Sequence, residues 1–433
     1  MRNNIVHSGA DELSYEIREI VAVAQKIEAL GQTITWENIG DPIAKGHRVP
    51  DWIKQIVSDI AIHDDSAYGY SPTKGLLKTR QFIADRLNLN PTACRITSEN
   101  ILFFNGLGDA IAHIYGKLNE HVRAIGPNPA YSTHSSAEAS HASAPHITYK
   151  LDPDNNWLPD IEDLRNKVKY NPQIGGIIII NPDNPTGIVY PKEILRQIVD
   201  IAKEYDLFII ADEVYAEIVY GDIAMTPLAE VIGDVPGMAL RGLSKEVPWP
   251  GSRCGWVEFY NTDRDPIFAR YVKSLIDSKM LEVCSTTMPQ VALPRIMSDK
   301  RYKEYIDSNN QRYNQRAELF YQILSKINGI KVVRPRGALY ATVLFEKGQL
   351  TPGQKLPIAS QAITDYVQPL VQDIPLDKRF VYYLLASTGV CVVPLSGFNS
   401  DYPGFRMTLL ETDNDKYRHT LETIANAISK YLS

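Results

Sequence analysis

A lysine and an arginine eight positions apart are the residues of this sequence whose types and spacing most directly suggest chemistry. Lys245 follows a short apolar run, and Arg253 lies between Gly251 and Gly255. A lysine amine can act as a nucleophile, and the planar fork of an arginine can bind phosphate through two hydrogen bonds. Nearby glycines let the backbone approach a ligand closely. Because a loop lysine is usually a solvated surface residue, this pattern predicts a ligand pocket only in combination with other motifs.

Three further polar clusters each follow an apolar run that predicts a strand. The sequence NPDNPTG at residues 181–187 comes directly after the isoleucines at 177–180, Asp212 and Tyr215 follow a second run, and the turn at 106–108 follows a third. Each cluster alone is also compatible with an ordinary turn or helix cap. In an open parallel sheet, however, ligands bind beyond the carboxyl ends of the strands. The shared position of the clusters therefore predicts a ligand site at one edge of such a sheet.

The elements that position these clusters form an α/β pattern. Between about residues 101 and 260, short apolar runs alternate with longer amphipathic stretches, as in strands joined by crossover helices in a mostly parallel sheet. Residues 191–205 have apolar side chains at helical spacing, and the unbroken isoleucine run predicts a central strand with helices on both faces. The strands are predicted at residues 101–104, 122–125, 176–180, 207–211 and 238–240.

The chain length predicts two domains, because 433 residues exceed the size at which one hydrophobic core keeps growing. We expect residues 52–300, which contain the α/β pattern, to form a large cofactor-binding domain. Residues 301–327 predict a long helix, after which the pattern changes. We therefore expect a smaller α+β domain made of residues 1–51 and 301–433, with residues 348–376 as a surface excursion.

Composition and charge narrow the classes of function. The net charge of −6 and the pI near 5.9 provide no basic footprint for nucleic acid. The sequence has no apolar run of about eighteen residues and no early apolar core of signal-peptide length, so we expect a cytoplasmic protein without a membrane partner. The cysteines and histidines show no metal-ligand spacing, which favours reduced thiols and no metal site.

Together the motifs resemble those of the class I/II aminotransferases, which have the fold type I of enzymes that depend on pyridoxal 5′-phosphate (PLP). The similarity extends from about residue 13 to the C-terminus. The motifs stand, in the family's order, at residues 40–42, 70–75, 106–108, 129–131, 181–187, 212–215, 244–255, 335–340 and 405–406. Such agreement in register is far more specific than any single motif. The resemblance implies a large domain with a mostly parallel sheet covered by helices on both faces, and a smaller α+β domain.

The resemblance also implies that the chain is a transaminase with PLP at the predicted sheet edge. Lys245 would carry PLP covalently and, once the substrate has freed it, act as the general base. Asp212 would pair with the ring nitrogen and keep it protonated, which makes the ring an electron sink. Asn184 and Tyr215 would hydrogen-bond the phenolic oxygen, and Tyr131 would stack on the ring face.

The cofactor phosphate is assigned by the same resemblance to the turn before a predicted helix. The backbone N–H groups of Gly106, Leu107 and Gly108 would bind it, because unpaired donors and the helix dipole both favour an anion there. Arg253 would add a bidentate contact. Tyr70 would reach the phosphate from the neighbouring subunit, which implies a homodimer with shared active sites.

For the substrate, the resemblance points to Arg406, whose fork would bind the α-carboxylate, together with Asn184 and Gly40. Several local sequences are similar to those of bacterial alanine (glutamate-pyruvate) aminotransferases, in which Tyr15 lies near the site entrance. Residues 281–290 lack the arginine that dicarboxylate-specific members place near the distal carboxylate. These features favour a ping-pong exchange between alanine and 2-oxoglutarate and disfavour aspartate.

Other functions are weighed against this one. A NAD fingerprint is disfavoured because Ile111 stands where its third glycine is required. A PLP-dependent C–S lyase or decarboxylase on the same fold stays open, because pocket shape selects the bond that is broken. A PLP-sensing regulator is disfavoured, since we expect too few residues before the first motif for a DNA-binding domain. Gly242 departs from the family pattern, in which many relatives have a phosphate-binding serine.

Overall fold

Strands and helices alternate along most of the chain in a computed structural model, which describes residues 5–13 and 16–433. The helices are α1 (Glu16–Ala29), α2 (Asp51–His63), α3 (Leu77–Asn88), α4 (Leu107–Gly116), α5 (Ser132–Ala142), α6 (Ile161–Tyr170), α7 (Lys192–Glu204), α8 (Leu228–Val231), α9 (Pro266–Met280), α10 (Thr287–Met297), α11 (Tyr302–Leu324), α12 (Gln361–Leu370), α13 (Leu376–Thr388) and α14 (Asn414–Leu432). The strands are β1 (Thr35–Trp36), β2 (Ile101–Phe104), β3 (Arg123–Asn128), β4 (Thr148–Asp152), β5 (Leu158–Pro159), β6 (Ile174–Ile180), β7 (Phe208–Asp212), β8 (Gly237–Gly242), β9 (Gly255–Tyr260), β10 (Ile330–Val332), β11 (Tyr340–Phe345), β12 (Val390–Cys391), β13 (Val393–Pro394) and β14 (Gly404–Thr408).

The largest sheet has the strand order β2-β9-β8-β7-β6-β3-β4-β5. The pairs from β8 to β4 are parallel, whereas β9 is antiparallel to both β2 and β8, and β5 is antiparallel to β4. Strands β2, β3, β6, β7 and β8 therefore all have their carboxyl ends at the same edge. The mostly parallel sheet expected from the sequence is confirmed, and β6 lies inside it.

Helices cover both faces of this sheet, as the isoleucine run in β6 predicts. Because side chains of a strand alternate between faces, the run divides into two sets. Ile178 and Ile180 pack in one apolar cluster with residues of α4 and α9, and the other two isoleucines pack in a second cluster with residues of α7. Each of the four is at most 1% exposed. This packing fixes the position of the turn at 181–187 that follows the strand.

A second, antiparallel sheet has the order β10-β11-β14-β13. Helix α13 packs on it through Phe380, whose ring centroid lies 4.8 Å from that of Phe345 and 5.7 Å from that of Phe405. Strand β1 pairs in parallel with β12, so the N-terminal segment joins the C-terminal part of the chain. This pairing is in keeping with the smaller domain, whose boundaries at residues 51 and 301 stay a prediction.

Some elements differ from the sequence expectation. Strand β2 has the predicted bounds, but β3 continues beyond residue 125 to Asn128, and the sequence pattern does not indicate β4, β5 or β9. Residues 348–376 are not only a surface excursion, because they contain α12, whose Ile363 and Val367 are buried. Among the described residues, no helix is both long and apolar enough to cross a membrane.

Candidate active site

A cavity of about 580 Å³ lies at the sheet edge where the parallel strands end. Side chains that follow β2, β3, β6, β7 and β8 border it, which is the edge predicted from the polar clusters. The predicted site residues in its lining are Leu107, Gly108, Tyr131, Asn184, Asp212, Tyr215, Lys245 and Arg253. Leu13 and Arg18, from the N-terminal segment, also border the cavity. The fold thus brings together residues that are far apart in the sequence.

Lys245 lies in the loop after β8, with its amine at the cavity. Its Nζ donates a hydrogen bond to the Gly40 carbonyl oxygen at 2.6 Å and lies 5.9 Å from the ring centroid of Tyr215. Gly40 lies in the N-terminal segment just after β1. The pairing of β1 with β12 therefore helps to position Gly40. The lysine amine is therefore held in one direction by a backbone carbonyl from a distant part of the chain.

Asp212 ends β7 as a buried carboxylate with fixed orientation. Its Oδ1 accepts a hydrogen bond from the Val214 backbone N–H at 3.1 Å, and its Oδ2 lies 3.2 Å from His134 Nε2. The other ring nitrogen of His134 lies 3.2 Å from the Tyr115 hydroxyl. Sequence reasoning assigned His134 no role. Its position one helical turn after Tyr131 could have indicated that it lies near the site. Its contact with Asp212 depends on how α5 packs on the sheet, which the sequence does not show.

Tyr215 and Tyr340 form a buried pair beside Lys245. Their hydroxyl oxygens are 3.0 Å apart, and their rings meet edge to face with centroids 5.9 Å apart. Burial raises the pKa of Tyr215 well above its usual value. Tyr340 stands in the sequence motif at 335–340, but that motif alone does not indicate contact with a residue that follows β7.

Arg406 is a buried cation on β14 and is 1% exposed. Its Nη1 donates to Asn184 Oδ1 at 3.1 Å, and its Nη2 donates to the backbone oxygen of Asn38. The guanidinium carbon lies 4.3 Å from the ring centroid of Tyr340 and 4.9 Å from that of Phe398. Arg406 is not part of the cavity lining itself but lies directly behind Asn184, which is.

The N-terminus of α4 forms a compact cradle for an anion. Gly106 precedes the helix with a φ of 85°, a conformation that favours glycine, and a Cβ there would lie 2.6 Å from Arg253 Nη2. No side chain in the described part of the chain caps this helix, so the N–H groups of Leu107 and Gly108 are available to an anion beside the guanidinium. A Cβ at Gly242 would lie 3.0 Å from the Cys254 carbonyl oxygen, so the serine found there in many relatives would be crowded.

A charged cluster lies along α4 beyond this cradle. The side-chain atoms of Asp109, His113 and Glu282 that could bind a metal ion lie within 4.8 Å of one another. The spacing of the histidines in the sequence does not indicate this group. Lys279 is fully buried among them, with its Nζ 3.1 Å from Asp109 Oδ2 and in contact with Glu282. The ammonium group thus already supplies a cation to these carboxylates.

Two predicted site residues are not placed at this cavity by the structure. Tyr70 is 86% exposed and does not border the cavity of its own chain. Tyr15 lies outside the described residues. The roles given to both residues from the sequence stay predictions.

Comparison with known proteins gives these features a family context. A family model described as aminotransferase class I and II matches residues 37–424. The chain is 54% identical over 432 residues to an uncharacterized aminotransferase of Methanocaldococcus jannaschii, covering 100% of both chains. It is 31% identical over 336 residues to the glutamate-pyruvate aminotransferase AlaA of Escherichia coli, covering 77% of this chain and 80% of that one. A solved structure of an aminotransferase from Escherichia coli matches with a TM-score of 0.84 at 28% identity, covering 100% of both chains.

Proposed function

The chain belongs to the class I and II aminotransferases, and we propose that it exchanges an amino group between L-alanine and 2-oxoglutarate with pyridoxal 5′-phosphate as cofactor. The observation that carries this proposal is the convergence of Lys245, Asp212, Asn184 and Tyr215 on one cavity, with Arg406 directly behind Asn184. This set offers an amine, a buried acid, neutral hydrogen-bond donors and a carboxylate-binding fork. Transamination with PLP needs each of these groups.

The part of the cavity around Asp212 fits the ring of PLP. The Asp212 carboxylate is buried and oriented by Val214 and His134, so it would pair with a protonated ring nitrogen. The Tyr215 hydroxyl and the Asn184 amide lie on the same cavity and would bond the phenolic oxygen. The amine of Lys245 borders the cavity as well and would bond the cofactor carbon.

The part of the cavity at the N-terminus of α4 fits the phosphate group of PLP. Gly106 leaves the space beside the Arg253 guanidinium that a side chain would fill, and no side chain of the described residues caps the first turn of α4. A phosphate would therefore meet backbone donors and a guanidinium fork together. The exposed side of Arg253 leaves room for a further contact from a neighbouring subunit.

The residues divide the work of transfer among them. When bound, PLP withdraws electrons from the substrate Cα and carries the amino group between the two substrates. The Lys245 amine removes the proton from the substrate Cα and returns a proton when the second substrate becomes an amino acid. Arg406 binds the α-carboxylate and so fixes the position of Cα relative to that amine. Asp212 holds a proton on the ring nitrogen throughout.

The choice of substrate rests on two observations. The Escherichia coli relative carries the name glutamate-pyruvate aminotransferase, which corresponds to the pair alanine and 2-oxoglutarate. Residues 281–290 contain no arginine that would pair with the distal carboxylate of aspartate. Alanine is therefore the proposed donor, ahead of aspartate.

The proposed enzyme is a homodimer with shared active sites. Three large side chains are mostly exposed, with Tyr68 at 66%, Tyr70 at 86% and Leu281 at 87%. The two segments that carry them are tied together, because Thr287 Oγ1 donates to the Gly69 carbonyl oxygen at 2.8 Å. Exposed apolar side chains on neighbouring segments favour an interaction surface, and we call these residues the exposed patch. A second copy of the chain on this patch would bury these side chains and bring Tyr70 to the partner's phosphate cradle.

A panel of amino donors tests the proposed reaction. Purified protein supplied with PLP is incubated with 2-oxoglutarate and one L-amino acid at a time, and both glutamate and the new 2-oxo acid are measured. We expect the two products in equal amounts, with a higher kcat/KM for alanine than for aspartate. The Lys245→Ala variant should form neither product. Ammonia release without 2-oxoglutarate would indicate a lyase, and absence of glutamate with every donor would refute amino transfer.

A further inference from the structure

Tyr340 occupies a position in the site that the fit to the cofactor does not explain. Its hydroxyl lies 3.0 Å from that of Tyr215, and the side chain is 3% exposed. The same hydroxyl packs so closely on Gly40 that a Cβ there would lie 1.9 Å from it. Gly40 in turn accepts the hydrogen bond of Lys245. One phenol therefore contacts two of the residues around the proposed cofactor.

The direction of the bond between the two hydroxyls decides what Tyr215 can offer to the cavity. Burial would raise the pKa of Tyr340, but the charges of Lys245 and Arg406, with the hydrogen bond to Tyr215, outweigh it and hold that pKa below its usual value. Asp212, at the end of β7, is the acidic group that acts against this lowering. The pKa of Tyr215 is raised. The Arg406 guanidinium carbon lies 4.3 Å from the Tyr340 ring centroid, and the more acidic hydroxyl of a pair is the better donor, so position and charge together favour donation from Tyr340 to Tyr215.

We propose that Tyr340 is a positioning residue that directs the hydroxyl hydrogen of Tyr215 toward the cofactor's phenolic oxygen. A phenol has one hydrogen and can also accept hydrogen bonds. When Tyr340 donates to the Tyr215 oxygen, the hydrogen of Tyr215 is left for the cavity. The inference rests on the proposed function, since it concerns the same cofactor site and acts through Tyr215.

This arrangement has a consequence for the resting enzyme before any substrate binds. A hydrogen bond from Tyr215 stabilises negative charge on the phenolic oxygen. With PLP bound, that oxygen would hold less tightly a proton shared with the nitrogen of Lys245. Removal of the Tyr340 hydroxyl weakens the donation, so the shared proton should leave at a higher pH.

The visible absorbance of the substrate-free holoenzyme, followed against pH, measures this effect. Tyr340→Phe keeps the ring beneath Arg406 and removes only the hydroxyl. We expect the midpoint of the absorbance change to rise by about 0.5–1 pH unit, the equivalent of one typical hydrogen bond. Tyr271→Phe is the matched control, because this phenol donates to the Ile114 carbonyl oxygen at 2.7 Å outside the cavity. Its midpoint should equal that of the wild type.

A double-mutant cycle shows whether Tyr340 acts through Tyr215. In a Tyr215→Phe background, the further change Tyr340→Phe should leave the midpoint where it is, because the hydroxyl that it positions is gone. An equal rise in both backgrounds, or an unchanged midpoint in the single variant, would overturn the proposal.

A measurement on the cofactor-free protein separates this inference from the proposed function. Near-ultraviolet titration should show one tyrosine that ionises at a lower pH than the exposed ones and that is missing in Tyr340→Phe. If this tyrosine is found but the protein has no transfer activity, the pairing of Tyr340 with Tyr215 stands and the proposed function is wrong. If wild type and variant titrate alike, the assigned direction of donation is wrong and the inference fails.

Discussion

The orientation of the Arg406 guanidinium group is fixed before a substrate binds. One arm of its fork bonds Asn184, the other bonds the backbone oxygen of Asn38, and its plane lies 4.3 Å from the centre of the Tyr340 ring. A lysine ammonium is a point charge on a flexible stem and cannot reproduce the fork or the stacking. Since burial makes an unpaired charge costly, we expect this position to tolerate substitution poorly.

The substitution Arg406→Lys tests its assignment to the α-carboxylate. Charge-assisted hydrogen bonds contribute about 1.5–3 kcal/mol, so kcat/KM should fall roughly 10- to 100-fold. The fall should be similar for every amino donor, because all share the α-carboxylate. Steady-state kinetics across the donor panel measure it, with Arg270→Lys, an exposed position on α9, as the control. A loss confined to one donor would place Arg406 at the side-chain end of the substrate instead.

At the scale of elements, α4 is the part that holds the anion cradle rigid. The helix packs on the sheet through Ala110, Ile111 and Ile114, all buried. Its first turn therefore has a fixed direction relative to the ends of the strands. The turn that enters it needs a φ of 85° at Gly106, where an L side chain is strained.

The substitution Gly106→Ala should damage cofactor binding more than folding. The strain of the left-handed backbone costs about 1–2 kcal/mol, and the new Cβ would push the Arg253 guanidinium out of the cradle. We expect a largely folded protein with a raised dissociation constant for PLP, measured by equilibrium titration alongside thermal unfolding. Gly116→Ala, at the other end of the same helix and facing open space, is the matched control. Wild-type PLP affinity in Gly106→Ala would contradict the cradle.

The sequence predicts the strands that bear the site better than the contacts between their side chains. Strand β6 and the turn after it can be predicted from the sequence, because a continuous apolar run followed by Asn and Pro is compatible with few other structures. Strand β4 has only Tyr149 and Leu151 fully buried, too weak an alternation to indicate a strand. The contacts of His134 with Asp212 and of Tyr340 with Tyr215 join residues far apart in the chain. They follow from how the elements pack, which no local pattern contains.

At the scale of the whole molecule, the site lies where three parts of the chain meet. Lys245 and Asn184 follow strands of the large sheet, Gly40 follows β1, and Arg406 belongs to the small sheet. A substrate bound by Arg406 and Lys245 would therefore contact both sheets. The exposed patch around Tyr70 adds the proposed fourth contributor, a second copy of the chain.

Mixing two defective chains tests whether active sites are shared. A Tyr70→Ala chain and a Lys245→Ala chain should form hybrid dimers with one intact site and one doubly damaged site. Random pairing would restore roughly a quarter of wild-type activity per chain, above both parents. Differently tagged chains verify subunit exchange, and a Tyr70→Ala parent with clearly reduced activity is required. If exchange occurs and activity does not return, Tyr70 serves its own chain and the shared site is wrong.

The most direct test of the account is the identity of the lysine that carries the cofactor. The PLP-loaded protein is reduced with borohydride, digested and analysed by mass spectrometry for the peptide that retains the cofactor. We predict that the label is on Lys245, that Lys203→Ala, which alters an exposed lysine paired with Asp234, keeps it, and that a folded Lys245→Ala protein has none. A label on another lysine, or its persistence in Lys245→Ala, would contradict the assignment of the active site.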